Sequence, residues 1–195
     1  HDTFLLEKSS LFSLKIFIIF LISCTKASSF SKTLYYAIFS SHLTYGCQIL
    51  GQISNIHNEK VFSLQNRAVR IITFSDFRAP CNPLYASLRI LKLKDQISLQ
   101  NCLLVHDSLS HVAPSCFQEY FKLAREIHTY NTRSAKQGCL FVTPSQTTRY
   151  GLNSIIKKSI SNWNDMSKQF DVDMLTLGRY RLKSDIKSYF IQLYS

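Results

Sequence analysis

The stretch VFSLQNRAVRII (residues 61–72) decides the fold class. Val61, Leu64, Ala68 and Ile71/Ile72 recur every three or four residues, the period of one face of an α-helix. Arg67 and Arg70 lie beside that stripe and point outward. The same period runs through Phe30, Leu34, Ala37/Ile38, Ser41 and Tyr45, with Gly46 and Gly51 read as stop signals. Downstream, Asn82-Pro83 reads as an N-cap with proline in the first turn, opening a short helix to about Leu91. A longer helix covers Ile97–Leu109, and a short one is expected around Phe117, Tyr120/Phe121 and Ala124. Helix resumes with Leu152, Ile156, Ile160 and Trp163, and a last one runs from about Leu177 to Leu193. Around residues 125–148 the period lapses, and Gly138, Pro144 and several Ser and Thr mark an exposed, irregular segment with Leu140 and Val142 briefly extended. The expected architecture is mainly all-α: six or seven helices in one bundle-like domain with that loop-rich middle.

Composition agrees with a folded chain. Its 195 residues are 46% hydrophobic and include 14 Phe and 10 Tyr, which excludes a disordered tail. The 5 Gly and 4 Pro exclude collagen and argue against a turn-dense barrel. The 23 Lys+Arg against 12 Asp+Glu leave a net charge of +11, which favours an anionic partner, nucleic acid or an acidic membrane face. Every quarter of the chain is mildly positive. A dispersed excess suits a broad surface along a phosphate backbone, or simply keeps an apolar protein in solution.

No catalytic pattern emerges. The six cysteines, Cys24, Cys47, Cys81, Cys102, Cys116 and Cys139, lack zinc-site spacing and read as buried apolar residues or a disulfide set. Asp171 and Asp173 in FDVD are the closest carboxylate pair, and their place ahead of a helix reads as capping. Phosphate-binding glycine loops, HExxH and Gly-x-Ser-x-Gly are absent from the sequence. No catalytic residue, metal ligand or cofactor is therefore assigned, and no small-molecule substrate. Leu11–Cys24 is the most apolar stretch; Lys15 interrupts it and it is too short to span a bilayer, so it reads as core rather than signal or anchor.

The polar run His128-Thr-Tyr-Asn-Thr-Arg133-Ser134, with Arg149-Tyr150 after it, interleaves guanidinium, amide, hydroxyl and aromatic groups. Arg can bind phosphate bidentately while Tyr stacks on a base; the same groups could instead cap neighbouring helices.

Five words of the sequence, TLYYAIFSSHLTYGCQI (33–49), LQNRAVRIIT (64–73), NPLYASLRILKLKDQISLQNCLLVHDSL (82–109), IHTYNTRSA (127–135) and TTRYGLNSIIKKSISNWNDM (147–166), carry a resemblance. In their order and spacing the chain resembles the C-terminal region of the reverse transcriptase of non-LTR retrotransposons, the LINE-type, jockey-like elements. The resemblance covers residues 30–195; residues 1–29 match poorly, and Leu50 stands where the family usually has Trp. It implies a post-palm, thumb-side helical region of an RNA-directed DNA polymerase, cut from a parent whose palm would use Mg2+. The family's aromatic-x-Asp-Asp turn is absent here, so the chain is expected to be non-catalytic alone, working inside a cell, in cytoplasm or nucleus, with RNA or DNA and the remainder of the reverse transcriptase as partners. His128, Tyr130, Asn131, Thr132 and Arg133 match the family's signature cluster. Analogy with polymerase thumbs makes Arg67, Arg70, Lys157, Lys158, Arg179 and Lys183 phosphate contacts, with Arg149 joining the loop. The alternatives are a non-functional retroelement relic and a small membrane-associated or secreted basic protein.

Overall fold

A computed structural model describes residues 28–50, 55–127, 130, 137–141, 151, 154–170 and 173–195; the Leu11–Cys24 stretch lies outside them. Helix dominates these residues, and the only β pairing among them is an isolated antiparallel bridge between Leu123 and Leu140. The fold is all-α, as the periodicity predicts. Where one bundle was expected, the chain divides into two compact units: residues up to Gln96 together with Phe190–Ser195, and residues Ile97–Tyr189.

In the first unit, helix α1 (Ser28–Leu34) passes through a π-helical segment (Tyr35–Ser40) into α2 (Ser41–Leu50). Gly46 therefore sits inside α2 and stops nothing, although glycine in a helix interior costs about 1 kcal/mol relative to alanine. The wider π turn keeps Tyr35 and Phe39 buried and stacked, with ring centroids 5.2 Å apart. Helix α3 (Asn55–Ile72) buries Val61, Gln65, Ala68, Val69 and Ile72. Its inner face is thus turned slightly from the expected stripe: Leu64 and Ile71 are only half-buried and a glutamine takes the centre.

Gln65 earns that place by hydrogen bonding. Its amide donates to the Tyr35 hydroxyl (3.0 Å) and the Leu91 carbonyl (2.9 Å), and its oxygen accepts from the Leu93 N–H (2.9 Å). Residues 90–92 are the connection between α4 (Cys81–Leu88) and α5 (Leu93–Leu109), so one side chain satisfies backbone groups that neither helix can. Helix α4 starts earlier than expected. Pro80 is its N-cap, without a side-chain bond, and Pro83 falls in the first turn, where a missing N–H costs nothing. The chain's C-terminal residues return to this unit. The Tyr194 hydroxyl accepts from the Lys92 N–H (3.2 Å) and donates to the Asp95 carboxylate, and the Lys92 ammonium stands 4.2 Å from the Tyr194 ring centroid.

Helices α3, α4 and α5 end in the same way. Ser75 N–H bonds the Arg70 carbonyl and Phe74 N–H that of Ile71. Ile90 and Arg89 pair likewise with Tyr85 and Ala86, and Val112 and His111 with Asp107 and Ser108. These are Schellman motifs, and their left-handed position is ordinarily glycine. Here it is Phe74 (φ 53°), Arg89 (φ 55°) and His111 (φ 58°), each at a cost of roughly 1–2 kcal/mol.

In the second unit, α5 is buried on most sides from Leu99 to Ser108, which makes it the central helix there. The expected single helix around residues 117–124 is two short pieces, α6 (Ser115–Gln118) and α7 (Ala124–Ile127). Helix α8 (Ile155–Phe170) buries Ser159, Ile160, Trp163 and Ser167. Part of the segment expected to be exposed is buried: Gln137–Leu140 packs inside. The reason is a set of long-range hydrogen bonds. The Asn164 amide accepts from Leu140 N–H (2.7 Å) and donates to its carbonyl (3.1 Å); the Trp163 indole donates to the Gly138 carbonyl (3.0 Å); Ala124 N–H donates to Cys139 (2.9 Å). Gly138 has φ +66°, and a Cβ there would run into the Asp173 carboxylate. Only glycine fits. A 3-10 turn (Met174–Thr176) leads into α9 (Arg179–Gln192), whose inner side is Leu182, Ile186 and Phe190.

Candidate nucleic-acid interface

The residues expected to meet nucleic acid fall in three groups. His128, Asn131, Thr132, Arg133 and Arg149 lie outside the described residues; of the polar loop only Tyr130 is described, 83% exposed.

The second group is Arg67 and Arg70, one turn apart on α3 in the first unit. Arg67 is exposed and makes no ion pair among the described residues. Arg70 is half-buried and already engaged: its Nε donates to the Ala79 carbonyl (3.0 Å), and its guanidinium stands 6.0 Å from the Phe77 ring centroid. It therefore braces the loop after α3.

The third group belongs to the second unit. Lys157 and Lys158, on the first turn of α8, are half-buried rather than fully solvated, and burial lowers the pKa of Lys158 from its ordinary value. Arg179 opens α9, where its Nε donates to both oxygens of Asp107 (2.8 and 3.0 Å) while the side chain stays 56% exposed. Lys183, one turn on, is exposed and makes no ion pair among the described residues.

Asp173, half of the FDVD pair, is spent on structure. One oxygen accepts from Leu175 N–H (3.1 Å) to cap the 3-10 turn, and the other from Arg125 Nη1 (2.9 Å). Capping is what its position ahead of the turn predicts; Asp171 lies outside the described residues. Among the described residues, no three His, Cys, Asp or Glu side chains converge as metal ligands would.

Each unit also exposes aromatic groups that periodicity did not single out. Tyr180 is 87% exposed between Arg179 and Arg181, one turn from Lys183. Its signal was available: it falls outside the Leu182–Ile186–Phe190 stripe. Phe74 and Phe77 flank the loop after α3, and no sequence rule places two phenylalanines in solvent.

No protein-family model, no curated protein and no solved structure matches the chain. No described helix is long and apolar enough to cross a membrane.

Proposed function

We propose that this chain is a nucleic-acid-holding helical region of a LINE-type reverse transcriptase, non-catalytic alone, which supports the RNA/DNA template–primer in the parent polymerase. Its main support is the solvent face of α9. Arg181 and Lys183 flank an exposed Tyr180, Arg179 is already held by Asp107, and Asp185 is the helix's only acid. Arginine and lysine can each replace a phosphate counterion, and a tyrosine ring offers a face to a base. Asp185 lies 3.9 Å from Arg181, a surface pair too weak to neutralise the face. Arg67, exposed and without an ion pair among the described residues, adds a cation in the first unit. The five quoted words of sequence supply the family reading, and the net +11 fits it.

Fluorescence anisotropy of the full chain with labelled single strands and duplexes tests this. Log affinity should fall linearly with log salt between roughly 50 and 300 mM. Lys183→Ala and Arg67→Ala should each reduce the slope by about one, uniformly across sequences. A flat salt profile, or no binding at about 50 mM salt, overturns the reading.

A further inference from the structure

We propose that the loop joining α3 to α4, residues 73–80, is a stacking platform for the unpaired bases of a single-stranded nucleic acid, with Arg67 and Arg78 meeting its phosphates. This rests on the nucleic-acid reading above and adds to it a strand preference and a place.

The loop is held in one shape. Phe74 and Ser75 N–H groups close the Schellman motif, and Ala79 N–H donates to the Asp76 carbonyl (3.0 Å). The Thr73 hydroxyl bonds the Val69 carbonyl (2.9 Å) and meets the Ser75 hydroxyl at 2.9 Å, while Arg70 ties down the Ala79 carbonyl. On this frame Phe74 is 58% and Phe77 76% exposed. A loop backbone already held in one shape loses little entropy when a ligand covers its rings.

Neither ring is buried in the core. Phe74 occupies a left-handed position where glycine would be less strained, and it gains little burial there. Strain retained at an exposed apolar residue points to use rather than to folding. Arg89 and His111 share the backbone state but expose polar side chains, which need no such account.

The surroundings select the occupant. Arg70 stands beside the Phe77 ring, which stays largely open to solvent. Arg67 and Arg78 are exposed nearby along the chain, and Asp76 is the one acid between Arg67 and Arg89. Exposed aromatic faces, one with a guanidinium beside it, and exposed arginines close along the chain match a chain of bases joined by phosphates. A duplex keeps its bases stacked inside and could use only the rim.

The test compares the full chain with Phe74→Gly, Phe77→Ala and the double variant, each against an oligothymidylate of about 12 nucleotides and a blunt duplex of equal length. Phe74→Gly preserves the left-handed turn, so thermal unfolding reports separately that the fold is intact. The double variant should bind the single strand at least about tenfold more weakly and the duplex within about twofold of the parent. Equal losses on both probes, or no loss on either, overturn the platform while leaving the broader nucleic-acid reading intact. Failure of the parent chain to bind either probe overturns both. If the rings instead seat another protein surface, a second copy included, the double variant will abolish self-association in sedimentation while single-strand affinity is retained. That result also overturns the proposal.

Discussion

At the scale of single residues, Gln65 shows how a polar side chain comes to hold a core. It is fully buried, and its three hydrogen bonds go to a phenol and to two backbone groups. Gln65→Leu keeps the volume but strands the Leu91 carbonyl and the Leu93 N–H away from water. It should destabilise the chain by about 2–4 kcal/mol, read as a lower urea midpoint. An unchanged midpoint would mean those backbone groups find other partners. Sequence reading placed Gln65 off the apolar stripe because it scores residues by hydrophobicity, and its partners lie 26 to 30 positions away. The same blindness affected the cations. Arg67 and Lys183 are exposed and make no ion pair among the described residues, whereas Arg70 and Arg179 answer to Ala79 and Asp107, the latter 72 positions distant.

At the scale of elements, helices were legible and their ends only in part. Apolar residues at three- and four-residue spacing are a local signal, and the helices at 55–72, 155–170 and 179–192 follow it closely. The stop expected at Gly46 is overrun by α2, the end expected at Leu109 is where α5 ends, and α3, α4 and α5 close on Phe74, Arg89 and His111 where glycine is usual. A left-handed residue is tolerable wherever the Schellman hydrogen bonds and the following packing outweigh its strain. At Arg89 the residue after it, Ile90, is buried. Arg89→Gly should therefore relieve strain without losing a contact that holds the fold, stabilising by roughly 0.5–1 kcal/mol, a few degrees in Tm. Arg89→Ala keeps the strain and should show no such gain. A glycine variant that melts no higher than the alanine variant would refute this account.

At the scale of the molecule, acidic groups buried in the fold set a limit at alkaline pH. Burial, with Asp165 nearby, pushes the Cys102 thiol up to about 12, and burial likewise raises the Tyr35, Tyr85 and Tyr194 phenols. The folded state thus keeps protons that the unfolded chain releases at ordinary values, about 8.5 for thiols and 10 for phenols. Below those values both states are protonated and the groups do not alter stability. As pH rises past about 9 the unfolded state holds fewer protons, and stability should fall by about 1.4 kcal/mol per pH unit for each group titrating only in the unfolded chain. Urea midpoints measured from roughly pH 7 to 10.5 check this; a midpoint constant to the upper end would contradict it, and Cys102→Ala should flatten the onset. The sequence by itself determined the all-α class, the spacing of the helices and an evenly spread positive charge, because helical period and composition are properties of neighbouring residues. Tertiary structure decided the rest: the division into two units, the burial of Gln137–Leu140 under Asn164 and Trp163, the glutamine at the centre of a core, and the engagement of Arg70 and Arg179. The burial of Gln137–Leu140 and the place of Gln65 depend on buried polar groups whose partners lie 24 to 30 positions along the chain.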